Sequence, residues 1–445
     1  MKRKTGFCLF IMLILFLVPA KSVRASDFYY PYDDDGQLVV VLDPGHGGSN
    51  LGADYNGFLE KEMNLKVARA MALELEKYEG ITVYLTHDDL ETDMSLKERA
   101  QFAQSVNADI LLCLHFNMSP GNILYGSEVW ISGFGDENRI GYGFGKIQLQ
   151  EMQELGLFIR GIKTRINEEG TDYYGILRNC EELSIPAVLI EHCHIDHEQD
   201  VPVCDSEEEL EILAKRDATA VAKFFCLRSE ELGVDYRSNE SAYLIPQTGN
   251  FAKMDTTDPD ICLIEKKEIN PSDRTVTIQV TACDYDTPMQ YYAYSLDGGK
   301  TYSPYIIWPD TDLLEMKSKD TIELSLQIPE EMDSPQIRIK AVNQYDRFTE
   351  SNILSDFLEL EDVAKEEPEE SLEDVLPVDG DNITISSQDM GSAGFQAPVK
   401  EEKSKTDYSG FLKICLVLCI LIFVVVCTIN IVLLCSKSHR RKKKK

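Results

Sequence analysis

The chain has 445 residues and a formal net charge of −32 at pH 7, with 43% hydrophobic and 27% charged residues. That length leaves room for about two or three domains of globular composition. So acidic a chain lacks the clustered Lys and Arg that phosphate backbones need, which excludes nucleic acid as a partner.

The charge is unevenly placed. Residues 1–25 hold five basic side chains and no acidic one, and residues 436–445 hold seven basic ones. Lys2, Arg3 and Lys4 precede an apolar run over 6–18, and Val23 and Ala25 stand where a signal peptidase reads small residues. This predicts a signal peptide over 1–25, with Ala20 as the alternative cleavage point. A second apolar run of 22 residues, 414–435, carries no charged side chain. As a helix it extends about 33 Å, enough to cross a bilayer. We therefore expect a transmembrane helix over 410–435. The basic tail behind it, 436–445, is expected in the cytoplasm by the positive-inside rule. The body would then face outward, hung from the cell membrane as a single-pass protein.

Seven of the 12 Cys lie between these ends. Their odd number, irregular spacing and lack of a CxxC pair argue against a disulfide scaffold.

Residues 37–230 alternate strand and helix patterns. Continuous apolar runs at 38–42, 81–85, 110–114 and 187–190 read as buried strands. Met63, Val67, Met71, Leu75 and Tyr78 form a helical stripe. Ser95 and Glu98 make a capping box ahead of Ala100, Ala103 and Val106. Leu155, Ile159, Ile162 and Ile166 also have helical spacing, and Ser206 with Glu209 caps a last stripe from Leu210 to Phe225. The expected fold is α/β, a twisted sheet flanked by helices.

From 241 to 360 the period changes to two. Runs at 275–281, 291–296, 322–328 and 336–342, with the turn sequence DGGK at 297–300, predict a small all-β, immunoglobulin-like sandwich. We read it as a wall-binding or spacing module. Residues 361–409 open on a dense acidic stretch and continue in Ser, Gly, Pro and Gln. This is the composition of a disordered linker.

The chemistry concentrates at strand ends. The run DPGHGG at 43–48 follows the first buried strand and carries His46. Glu60 opens a helix, His115 ends the third strand, and Glu191 ends the strand at 187–190. In a parallel sheet these ends converge on the edge where α/β folds place ligands. Two His and one carboxylate make a catalytic zinc set with one position left for water. A further carboxylate nearby would serve as general base.

In this order the four pieces resemble the zinc-dependent N-acetylmuramoyl-L-alanine amidases of bacterial cell walls, the Amidase_3 family, over residues 38–200. The stretch SLKERA at 95–100, NAD at 107–109, GSEVW at 126–130, RGIK at 160–163 and GILR at 175–178 extend the likeness. The resemblance implies Zn2+ as cofactor, His46, Glu60 and His115 as its ligands, and Glu191 as catalytic acid and base. It implies hydrolysis of the bond between N-acetylmuramic acid and L-alanine, with peptidoglycan as the partner. Two other readings stay open: a non-catalytic peptidoglycan-binding scaffold, and a zinc hydrolase of another amide. Candidate substrate contacts are Asn117, Arg178, His192 and His194. The chain departs from the family at His87, usually Arg, and at His192, Cys193 and His194, where small and aromatic residues are usual. On one strand His192 and His194 would share a face, the geometry of a second metal site. Only 118–125 separates the His115 strand from the next, too short for the helix that plugs the zinc in some relatives. An open site is expected.

Overall fold

The computed structural model describes residues 37–237, 252–332 and 334–355. The expected signal peptide, acidic linker, membrane span and basic tail lie outside the described residues. Among the described residues no helix is long and apolar enough to cross a membrane. All of them fall within one compact unit.

The first part is a six-stranded sheet. Its strands are β1 (Leu38–Pro44), β4 (Ile81–Leu85), β5 (Ile110–Asn117), β6 (Ser127–Ile131), β7 (Ile159–Lys163) and β8 (Ala187–His194). A short hairpin, β2 (Asp54–Tyr55) and β3 (Phe58–Leu59), lies between the first two. The spatial order is β4-β1-β5-β8-β6-β7. β4, β1, β5 and β8 run parallel, whereas β6 meets β8 antiparallel and carries β7 parallel to itself. The sheet is therefore mixed.

Five helices cover it: α1 (Glu60–Leu75), α2 (Leu96–Ser105), α3 (Gly135–Gln153), α4 (Gly175–Glu181) and α5 (Glu207–Phe224). Strand periodicity decides which face each residue takes. Val40, Leu42, Leu112, Leu114, Val188 and Ile190 pack under α1, α3 and α5 in the larger core. Val41, Leu111, Cys113, Ala187 and Leu189 pack on the other face under α2 and α4. The stripe on α1 buries Met63, Val67, Met71 and Leu75. Ser95 and Glu98 form the expected capping box, each side chain accepting from the other's backbone N–H. Ser206 caps α5 through the Glu209 N–H.

One reading of the sequence is corrected. The spacing of Leu155, Ile159, Ile162 and Ile166 is not helical. A bulge places Ser127 opposite Ile159 and Glu128 opposite Gly161. The extra residue carries Ile159 and Ile162, three apart, into the same core. The helix there is α3, earlier in the chain, where glycines disguise it. A Cβ on Gly141 would lie 2.8 Å from Ile131 Cγ2, so glycine lets α3 lie close against β6.

The second part is the expected β module. One antiparallel sheet joins β11 (Ile261–Asn270), β12 (Thr275–Cys283) and β15 (Thr321–Gln327). The other orders β14 (Ile306–Ile307), β13 (Met289–Ser295), β16 (Arg338–Asn343) and β17 (Phe348–Glu350). A two-stranded ribbon, β9 (Arg228–Ser229) and β10 (Val234–Asp235), closes the first part. The module's core is built from alternating residues such as Val276, Ile278 and Val280, with Trp308 fully buried among them. The seven cysteines among the described residues are free.

Candidate active site

The same periodicity that buries Val41, Leu111 and Leu189 puts Asp43, Cys113, His115 and Glu191 on their face. At the carboxyl ends of β1, β5 and β8 this face is open. A cavity of about 790 Å3 forms there, lined among others by His46, Glu60, Arg99, His115, Asn117 and Glu191.

His46 sits in the glycine turn after β1 at φ 69°, a left-handed conformation that side chains other than glycine adopt at a cost. Several contacts hold it there. Arg99 on α2 donates to the His46 and Pro44 carbonyls and pairs with buried Asp43 at 2.8 Å. Asn64 Nδ2 donates to the Gly45 carbonyl, and Asn50 Oδ1 lies 3.0 Å from His46 Nδ1. Gly52 must be glycine: at φ 72°, a Cβ would lie 2.6 Å from His46 Cδ2.

Glu60 is the first residue of α1 and is buried. Its Oε2 accepts from the Ala53 N–H at 2.7 Å and lies 3.1 Å from His46 Nε2. Its Oε1 lies 2.8 Å from His115 Nδ1 and accepts from the Phe116 N–H. Burial alone would raise the Glu60 pKa, but hydrogen bonds and charge from His115 and His46 hold it well below the usual carboxylate range. For His46, burial opposes and Glu60 prevails, so its pKa is raised. The three donor groups lie within 4.8 Å of one another. Two imidazoles and an ionised carboxylate so gathered are a donor set that fits Zn2+.

Glu191 lies opposite His115 on the neighbouring strand. Its Oε2 is buried and has no hydrogen-bond partner among the described residues. Burial, then the charges of Glu60 and Glu128, push its carboxyl well above the usual range. A buried carboxyl oxygen left without a partner at a cleft is the kind of group found at functional sites.

The candidate substrate contacts fare differently. Asn117 lines the cavity, with its Nδ2 donating to Glu128 Oε1 at 3.1 Å and its Oδ1 accepting from the Met118 N–H. Arg178 instead donates to the Asp172 and Tyr173 carbonyls and pins the loop before α4. His192 and His194 neither line the cavity nor form a metal cluster among the described residues; they are 0% and 1% exposed. The β5–β8 ladder shifts register between His115 and Asn117, so the simple alternation that would place both His on one face is broken. His192 Nδ1 donates to the His115 carbonyl, and its Nε2 faces Asp217 on α5 at 2.9 Å. It braces the strand that carries His115. His194 Nδ1 lies 3.2 Å from the Gly126 carbonyl.

Sequence reasoning missed Asp43, Asn64, Arg99 and Glu128. All four are buried polar groups in otherwise apolar periodic elements, and that interruption was the available signal.

An α/β domain that gathers two His, one carboxylate and a second carboxyl group with an unpartnered oxygen at one edge of its sheet has the donor set of a hydrolase site able to hold a metal ion. Residues 40–223 match the model of Amidase_3, described as N-acetylmuramoyl-L-alanine amidase, and the chain belongs to that family. It is similar to the N-acetylmuramoyl-L-alanine amidase CwlM of Bacillus licheniformis, 29% identical over 191 residues, covering 43% of this chain and 70% of the relative. It is 30% identical over 170 residues to the uncharacterized protein YqiI of Bacillus subtilis (strain 168), covering 38% and 76%. A solved N-acetylmuramoyl-L-alanine amidase from Clostridium difficile 630 aligns at 26% identity and TM-score 0.38, covering 42% of this chain and 97% of its own.

Proposed function

We propose that this chain is a zinc-dependent peptidoglycan amidase that cleaves the bond between N-acetylmuramic acid and the L-alanine of the stem peptide. The observation that carries this reading is the buried, unpartnered Oε2 of the half-buried Glu191, across the ladder from His115 and beside the His46, Glu60 and His115 donors. Family membership supplies the substrate class.

His46, Glu60 and His115 would hold the metal. Zinc in such a site acts as a Lewis acid and lowers the pKa of a water to about 7. Glu191 takes the proton of the attacking water as it adds to the lactyl carbonyl, then returns it to the departing alanine nitrogen. A carboxyl held above its ordinary range suits a group that must both accept and give back a proton. Arg99, Asn50 and Asn64 fix the His46 loop, and His192 fixes the backbone at His115. We further propose export through the signal at 1–25 and anchoring through 410–435, with the catalytic body outside the cell; the apolar runs and basic ends support this.

The test is digestion of purified peptidoglycan by residues 26–362, read by mass spectrometry for stem peptides with a new alanine N-terminus. Release that a chelator abolishes and zinc restores is expected. Release of products cut elsewhere, or release indifferent to the chelator, would overturn the proposal.

A further inference from the structure

The β module covers the edge strand of the catalytic sheet. Gln344 Nε2 donates to the Ile162 carbonyl, and the Thr164 N–H donates to Tyr345 Oη. Tyr291 Oη donates to the Tyr125 carbonyl at 2.6 Å. Beneath this cover lie two cations of β7, Arg160 and Lys163, each no more than 1% exposed. Both donate to Glu128 Oε2, at 2.9 and 2.7 Å. Glu128 is itself buried, lies opposite Glu191 across the β6–β8 ladder, and accepts from the cavity-lining Asn117.

The charges within the catalytic domain do not balance. Glu128 faces two cations. The fourth member comes from the β module: Asp346 Oδ2 accepts from Arg160 Nη2 at 2.7 Å, while its Oδ1 accepts from Gln290. Tyr345 and Trp130 flank Lys163, their ring centroids 5.9 and 5.6 Å from its ammonium. Burial and Arg160 pull the Lys163 pKa down, and Glu128, then Asp346, oppose them.

We infer that the β module is a working part of the catalytic site: Asp346 pairs with Arg160 and, together with Glu128, balances the buried Arg160–Lys163 pair, and so positions Glu128, which in turn holds Asn117 and the strand bearing Glu191. Arg160, Lys163 and Glu128 are buried and the Asp346 side chain is 34% exposed; loss of Asp346 leaves two buried cations on one carboxylate, and an uncompensated buried charge is costly enough to shift its partners. Displacement at Glu128 reaches the cavity through one hydrogen bond to Asn117 and one ladder pairing to Glu191. The inference rests on Glu191 as the reacting carboxylate. Asp346 and Glu128 are positioning residues that act through their neighbours.

The test is steady-state kinetics of the full chain in detergent on soluble peptidoglycan fragments, with metal content and thermal midpoint measured on the same samples. Asp346→Asn is expected to lower kcat about tenfold with KM and bound zinc unchanged. Arg160→Met combined with Asp346→Asn removes one charge of each sign, so the double variant should lose less than the product of the single losses. Asp346→Glu, which keeps the charge, guards against a merely structural loss and should retain more kcat than Asp346→Asn. A wild-type kcat in Asp346→Asn, an Asp346→Glu variant no better than it, or strictly multiplicative losses would overturn the inference. Glu191→Gln, run alongside, separates the two readings: wild-type turnover there would remove the assigned base itself, whatever Asp346 does.

Discussion

His46 and Gly52 illustrate how far a single backbone angle controls the site. Both lie in left-handed conformations, and Gly52 leaves the space that His46 and Glu60 fill. Gly52→Ala should therefore weaken zinc binding at least tenfold in competition with a chromophoric chelator. Gly57→Ala is the matched control, because Gly57 is also left-handed at φ 91° but a Cβ there meets nothing within 4 Å. It should cost about 1 kcal/mol of stability and leave zinc affinity unchanged; equal affinity losses in the two variants would refute the steric account. Glu191 makes a second prediction at this scale. Its folded pKa is raised by burial and by Glu60 and Glu128, so its stabilising contribution is complete below the unfolded value near 4.5 and is lost as pH rises through the folded value. In the metal-free protein, Glu191→Gln should match wild type at pH 4 and be the more stable of the two by pH 8. Thermal melts across that range decide it, and a constant difference would contradict the shift.

At the level of elements, α3 was hidden and β7 was misread for related reasons. Glycine disfavours helix by about 1 kcal/mol relative to alanine, so a stretch with Gly135, Gly141, Gly143 and Gly145 does not look helical. Tertiary packing requires it: Gly141 lies against Ile131, and Gly145 against Val129. Gly141→Ala should consequently lower the thermal midpoint even though its helix propensity improves, and a higher midpoint would show that α3 has room to move. β7 carries a bulge at Gly161, and a bulge inserts one residue into a period of two. No single-sequence period recovers that. The elements that were legible have unbroken periods or clear caps: the apolar runs of β1, β5 and the first half of β8, the stripe of α1, and the caps of α2 and α5. The site was legible for the same reason. His46 and Glu60 stand at the edges of regular elements, and His115 and Glu191 follow the unbroken apolar alternation of β5 and β8, whereas the positions of His192 and His194 depend on a register shift in the ladder.

For the whole molecule, the described residues form one compact unit in which the β module packs on the catalytic sheet rather than standing apart from it. The aromatic cluster of Tyr125, Tyr291 and Phe158 and the buried Arg160 contacts tie the two parts together. A module so attached is placed to shape the reaction as well as to serve the wall-binding or spacing role expected from its sequence. The acidic linker and apolar C-terminal run supply, in our proposal, the reach and anchor that restrict where this activity is spent. The central claim is that Glu191 moves the proton at a site whose metal is held by other residues. The most direct measurement compares wild type and Glu191→Gln for release of alanine-terminated stem peptides, with bound zinc determined in the same samples. Full zinc occupancy is expected with a loss of about a thousandfold in rate, since general acid–base catalysis contributes about 10²–10⁴-fold and Glu191 acts twice. A variant that keeps its zinc and turns over at the wild-type rate would contradict it.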